Sequence, residues 1–139
     1  MTPDFQPWPE VMGTLSKEHT EVRALLSRVG EAAGRGDATE AAWQITAGRD
    51  LLSGGLDEHI RVEDDELFPA IAGALGEGIT GAFAEEHVRI RRLRDEVVAG
   101  ATASALPLAA CLELCDLLES HTVREDEMLF PAARQALEG

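Results

Sequence analysis

The sequence predicts an all-α protein: an up-down-up-down four-helix bundle whose halves repeat one another about a pseudo-twofold axis. Three observations predict it. Apolar residues recur at three- and four-residue spacing in four segments, with no alternating strand pattern. Short breaks containing Gly or Pro separate those segments, as antiparallel neighbouring helices require. Finally, "HIRVEDDELFPA", His59 to Ala70, recurs 62 residues later as "HTVREDEMLFPA", His121 to Ala132.

The first helix is expected from about Thr14 to Ala33, on a stripe that includes Met12, Leu15, His19, Val22, Leu26 and Val29. "GRGD" ends it, and Asp37 with Glu40 three residues on resembles a capping box for the second helix. Ile45, Leu52, Leu56, His59 and Glu63 form the inward stripe of that helix, which is expected to stop near Pro69. Gly48, Gly54 and Gly55 weaken it and mark a bend or a close approach. A third helix is expected from about Thr80 to Val98, with Phe83, His87, Ile90 and Val97 inward. After "GATAS", Pro107 suits the first turn of a fourth helix. That helix aligns Cys111, Leu114, Leu118, His121 and Glu125 and reaches Pro131.

The repeat extends to the other two helices. "EHTEVRALL" from Glu18 matches "EHVRIRRLR" from Glu86 in Glu, His and the arginine four residues after the histidine, Arg23 and Arg91. One domain over 1–139 is expected, with halves at about 14–75 and 80–135.

Composition narrows the function. There are 26 acidic residues against 12 basic ones, a net charge of -14. Such a surface repels nucleic acid and anionic lipid, which are bound through lysine and arginine. No apolar run approaches the roughly 20 residues that span a bilayer. "MTPDFQPWPE" lacks the basic and apolar regions of a signal peptide, so a cytoplasmic location is expected. Trp8 is expected to pack an N-terminal arm on the bundle. Cys111 and Cys115, one turn apart, read as small buried residues of a reduced protein. With no tyrosine in the chain, a tyrosyl radical mechanism is excluded. Gly-x-Ser-x-Gly, phosphate-cradling glycine loops and His-Glu-x-x-His are absent, which argues against a hydrolase.

The chemistry resides in the histidines. Residues four apart share a helix face, so His59 with Glu63, and His121 with Glu125, each aim two ligand groups in one direction. Counting from the turns, His19 lies 17 residues before Gly36 and His59 lies 23 after it. His87 lies 16 before Ala103 and His121 lies 18 after it, so the four imidazoles are expected at similar heights near one end of the bundle. A single histidine on an apolar stripe is ordinarily a hydrogen-bonded core residue. Four imidazoles and two carboxylates buried together without a cation would instead leave charges and lone pairs unsatisfied. Two metals are expected, one on His19 and His59, the other on His87 and His121, with Glu63 and Glu125 bridging. Imidazole with carboxylate suits iron, manganese or zinc.

These six positions and the two Leu-Phe-Pro segments resemble the hemerythrin-like (HHE cation-binding) domain over nearly the whole chain, from His19 through Phe130-Pro131. The resemblance implies two Fe ions with an oxo or hydroxo bridge, held by His19, His59, Glu63, His87, His121 and Glu125. Oxygen-carrying hemerythrins have a further histidine where Arg91 stands, and an Asp five residues after the last histidine where this chain has Glu125 after four. The set of four His and two Glu is closer to the iron-sulfur-repair and iron-sensing branches. The function implied is binding or turnover of a small diatomic or peroxide (O2, NO, H2O2). The alternatives are iron storage, donation or sensing, and a structural metal module. Leu67-Phe68 and Leu129-Phe130 are expected to plug the core and to shield the metals. Arg23 and Arg91 read as surface arginines in salt bridges, or as partners of Asp64 and Asp126 behind the ligands.

Overall fold

The computed structural model describes residues 7–138, and among these every regular element is helical. Residues 1–6 of the stretch read for a leader lie outside the described residues, as does Gly139. Helix α1 spans Trp8–Gly34 and buries Met12, Leu15, His19, Val22, Leu25, Leu26 and Val29 along one face. It begins well before Thr14, because Pro9 sits in its first turn, where a missing N–H costs nothing. Trp8 is therefore the first residue of a helix and not part of an arm. It packs, partly buried, on the lower apolar cluster described below.

Gly36, at φ 76°, turns the chain, and Asp37 caps α2 (Ala38–Ala47) by accepting the Glu40 N–H at 3.0 Å. Only half of a capping box forms, because the Glu40 carboxylate accepts from the Gln44 side chain instead, at 2.9 Å. Gly48 follows α2 at a close approach to α1: a Cβ would lie 2.4 Å from Leu25 Cδ2, so any larger residue would have to displace the buried Leu25 side chain. Beyond it come a widened π turn, π1 (Leu51–Gly55), then α3 (Leu56–Val62), a second, π2 (Glu63–Leu67), and α4 (Phe68–Leu75). Gly76, at φ 99°, reverses the chain into α5 (Glu77–Thr102), which is longer at both ends than the expected 80–98. Pro107 immediately precedes α6 (Leu108–Arg124), followed by π3 (Glu125–Leu129) and α7 (Phe130–Glu138).

Pro69 and Pro131 do not stop their helices, contrary to expectation. In an α-helix a proline ring collides with the carbonyl four residues back and lacks the N–H that carbonyl would accept. Both prolines here directly follow a π turn, in which Phe68 N–H reaches Glu63 O and Phe130 N–H reaches Glu125 O, five residues back. The wider turn gives the ring room. The helices therefore continue past the ligand positions, and the site does not lie at an end of the molecule.

Helix α1 packs against α2 and α6, α5 packs against the same two, and α4 packs on α5 and α7. Two apolar clusters result. The upper contains Val22, Leu52, Leu56, Ile60, Ile90 and Leu118; the lower contains Met12, Leu15, Leu67, Phe68, Phe83 and Phe130. His19, His87 and His121 each fall in the chain between a residue of one cluster and a residue of the other, whereas His59 lies between Leu56 and Ile60 of the upper one. No described helix is long and apolar enough to cross a membrane.

Arg94 on α5, only 5% exposed, donates to Leu52 O at 2.8 Å, Ser53 O at 3.4 Å and Asp57 Oδ1 at 2.9 Å. It thus supplies donors to carbonyls of π1. The second half has no such turn, since Glu113–Leu117 lies within regular α6.

Candidate metal centre

Helix α1 supplies His19, α3 supplies His59, π2 begins with Glu63, α5 supplies His87, α6 supplies His121, and π3 begins with Glu125. All six are buried; Glu63 and Glu125 are fully so. They form two groups of four, His19, His59, Glu63 and Glu125, and Glu63, His87, His121 and Glu125. Within each group the ligand atoms lie within 4.8 Å of one another, and the two glutamates belong to both. This is the grouping expected from the sequence.

Every imidazole has its Nδ1 against a carboxylate. His19 meets Asp126 at 2.9 Å, His59 meets Glu18 at 2.9 Å, His87 meets Asp64 at 2.7 Å, and His121 meets Glu86 at 2.8 Å. A carboxylate can only accept, so each Nδ1 carries the hydrogen and donates it. In a neutral ring this leaves the Nε2 lone pair free. Those lone pairs face one another: His19 and His59 Nε2 are 3.1 Å apart, as are His87 and His121 Nε2. Glu125 Oε1 lies 3.0 Å from His19 Nε2, and Glu63 Oε1 lies 3.0 Å from His87 Nε2. Neither carboxylate oxygen of Glu63 or Glu125 has a hydrogen-bond partner. Four lone pairs and four buried carboxylate oxygens thus converge with no donor among them.

Such a cluster needs positive charge. With protons alone, each pair must divide one proton unequally. His59 is pushed up to about 9, since Glu18 and Glu63 together outweigh the opposing effect of burial. His19, facing it, is lowered by burial and by the His59 charge. In the other pair His121 falls to about 4 through burial and repulsion by His87, while His87 is raised by Asp64 and Glu63 against burial. The carboxyls divide the same way. Burial and the Glu63 charge hold Glu125 well above its usual range; Glu63 stays well below despite burial, through Glu125, His59 and His87. A metal cation answers all these demands at once, and imidazole donors braced by carboxylates are a common setting for one.

The bracing is itself repeated. In each half, the Glu preceding the first histidine holds the second: Glu18 holds His59 and Glu86 holds His121. The Asp following each candidate ligand glutamate crosses to the other half: Asp64 holds His87 and Asp126 holds His19. Arg23 donates to Asp126 Oδ2 at 3.1 Å and to Thr122, so it stands behind a ligand, whereas half-buried Arg91 makes no ion pair among the described residues. Arg124 takes the corresponding place in the second half, reaching Glu86 at 2.6 Å. The sequence pattern gives no role to Glu18, Glu86 or Arg124, although the doubled Glu-His dipeptide signals the first two.

On the lower side, Phe130 stacks on His19 and Phe68 on His87, each at 5.7 Å between ring centres. Phe83 meets His121 edge-on at 5.3 Å. On the upper side lies a cavity of about 220 Å³, walled by Val22, Leu56, Ile60, Ile90 and Leu118. Cys111 and Cys115 are free and buried in the upper cluster, and burial pushes their thiols up to about 11 and about 12. Neither belongs to either group of candidate ligands. No family model, curated protein or solved structure matches the chain.

Proposed function

We propose that this chain is a four-helix, up-down protein of hemerythrin-like type that holds two metal ions, iron foremost, and binds or reacts with a small oxidant or diatomic at them. One observation carries the reading: four Nε2 lone pairs and four partnerless carboxylate oxygens meet in one buried space, with every Nδ1 committed elsewhere. In this reading His19 and His59 hold one ion, His87 and His121 the other, and Glu63 and Glu125 span both. Two bridged irons would supply reversible redox chemistry and an open coordination position. Manganese or zinc would suit the same donors.

The chain's own residues do the rest. Asp126, Glu18, Asp64 and Glu86 fix each imidazole's tautomer and ring direction. Phe68 and Phe130 cover His87 and His19 from below and exclude water there. A small ligand would approach from the cavity above. The test is the visible spectrum of the iron-loaded protein on adding azide or peroxide. A new absorption band supports an open iron position. No band, with iron that cannot be cycled between its two oxidation states, overturns the redox reading. Ready loss of iron to a chelator would favour iron donation or sensing instead.

A further inference from the structure

We propose that the cavity above the candidate metal centre is a binding site for a small uncharged organic molecule of about six to ten non-hydrogen atoms. The inference deepens the metal reading and rests on it for what forms the cavity floor. Size is the first argument. A water molecule or a diatomic needs roughly 30 Å³, and an apolar cavity of about 150 Å³ already accepts benzene. The space here is about 220 Å³, several times what an oxidant alone requires, and it includes the floor lined by the six candidate ligands, where the ions would take a share.

Chemistry is the second argument. The walls are aliphatic, from Val22, Leu56, Ile60, Ile90 and Leu118, and no lysine or arginine lines the cavity. An anionic ligand would find no cationic side chain on the walls and would have to pass Glu18 and Glu21 at the rim, so only ions on the floor could hold one. The remaining hydroxyl, on Thr122, is already engaged, donating to Glu119 O at 3.1 Å and accepting from Arg23. An uncharged, largely apolar molecule is what remains.

The third argument is that the space is built. Leu51 and Gly55 of π1 form the rim on one side, and Arg94 holds that turn through Leu52 O and Ser53 O. The other half has no π turn at the equivalent place, so the opening belongs to one side only.

Gly55 provides the test. Its φ of -61° and ψ of -50° suit any residue, and a Cβ there would lie in van der Waals contact, 3.4 Å from Asp50 O and 3.6 Å from Leu51 Cδ1. Gly55→Leu should therefore fold and put a side chain across the rim. Titration calorimetry of the metal-loaded protein, its metal content measured alongside, would compare benzyl alcohol with glycerol, which is uncharged but polar throughout. Saturable binding of benzyl alcohol is expected, with a dissociation constant at or below about 1 mM. Glycerol should bind at least tenfold more weakly. Gly55→Leu should weaken benzyl alcohol at least tenfold at unchanged metal content. No saturable binding, equal affinity for glycerol, or an unaffected Gly55→Leu variant would each overturn the proposal. If the protein takes up no metal yet binds benzyl alcohol in a Gly55-sensitive way, the cavity proposal stands and the metal reading falls.

Discussion

A histidine that donates from Nδ1 to a carboxylate has its other nitrogen fixed as an acceptor, and this chain arranges that four times. The bracing acids should therefore matter nearly as much as the ligands. Asp126→Ala should lower metal affinity about 10- to 100-fold while circular dichroism stays unchanged, as measured by competition with a chelator. Proton linkage gives a second expectation. His59 keeps its proton up to about 9, and Glu125 is held protonated well above its usual range, so binding a metal displaces protons below those values. Apparent affinity should thus rise as pH is raised from 6 toward 9 and fall as pH is lowered, with proton release measurable in weakly buffered solution. The six candidate ligands are legible in the sequence because each pair sits at helical spacing and the pattern occurs twice. Their supports are less so. Asp126 lies 107 residues from His19, and only tertiary packing brings them together.

At the level of helices, local rules misled where a local rule was being broken for a purpose. A proline after a helical stripe reads as a stop, yet Pro69 and Pro131 are carried through by the π turns that begin at Glu63 and Glu125. Nothing in a single chain's periodicity announces a turn of that kind. The glycines before Leu56 did mark an irregularity, and Arg94 explains how it is kept. Arg94→Leu removes a buried donor from Leu52 O and Ser53 O and leaves Asp57 without its partner. It should destabilise the protein by about 3 kcal/mol, read from urea unfolding. Phe68→Ala should cost about 3–5 kcal/mol through the cavity it opens, and should speed metal loss by uncovering His87. A variant that loses stability but not metal would assign Phe68 to packing alone.

Over the whole molecule, the apolar stripes and breaks made the all-helical character readable, and the repeated motif foretold that the histidines would meet. The position of the site within the molecule was not readable. With helices thought to end at the prolines, it was expected near one end; the continued helices add a lower apolar cluster and bring it between two apolar layers. That enclosure gives the cluster its electrostatic demand, because burial cuts the lone pairs and carboxylates off from most of the solvent that would otherwise answer them. The central claim is therefore that cations, and not shared protons, occupy this space in the working protein. Elemental analysis of protein produced in medium replete with iron, manganese and zinc tests it most directly. The account predicts two metal ions per chain, reduced in a His19→Ala/His59→Ala variant that remains helical. A folded protein carrying no stoichiometric metal, or metal content indifferent to those substitutions, would contradict it.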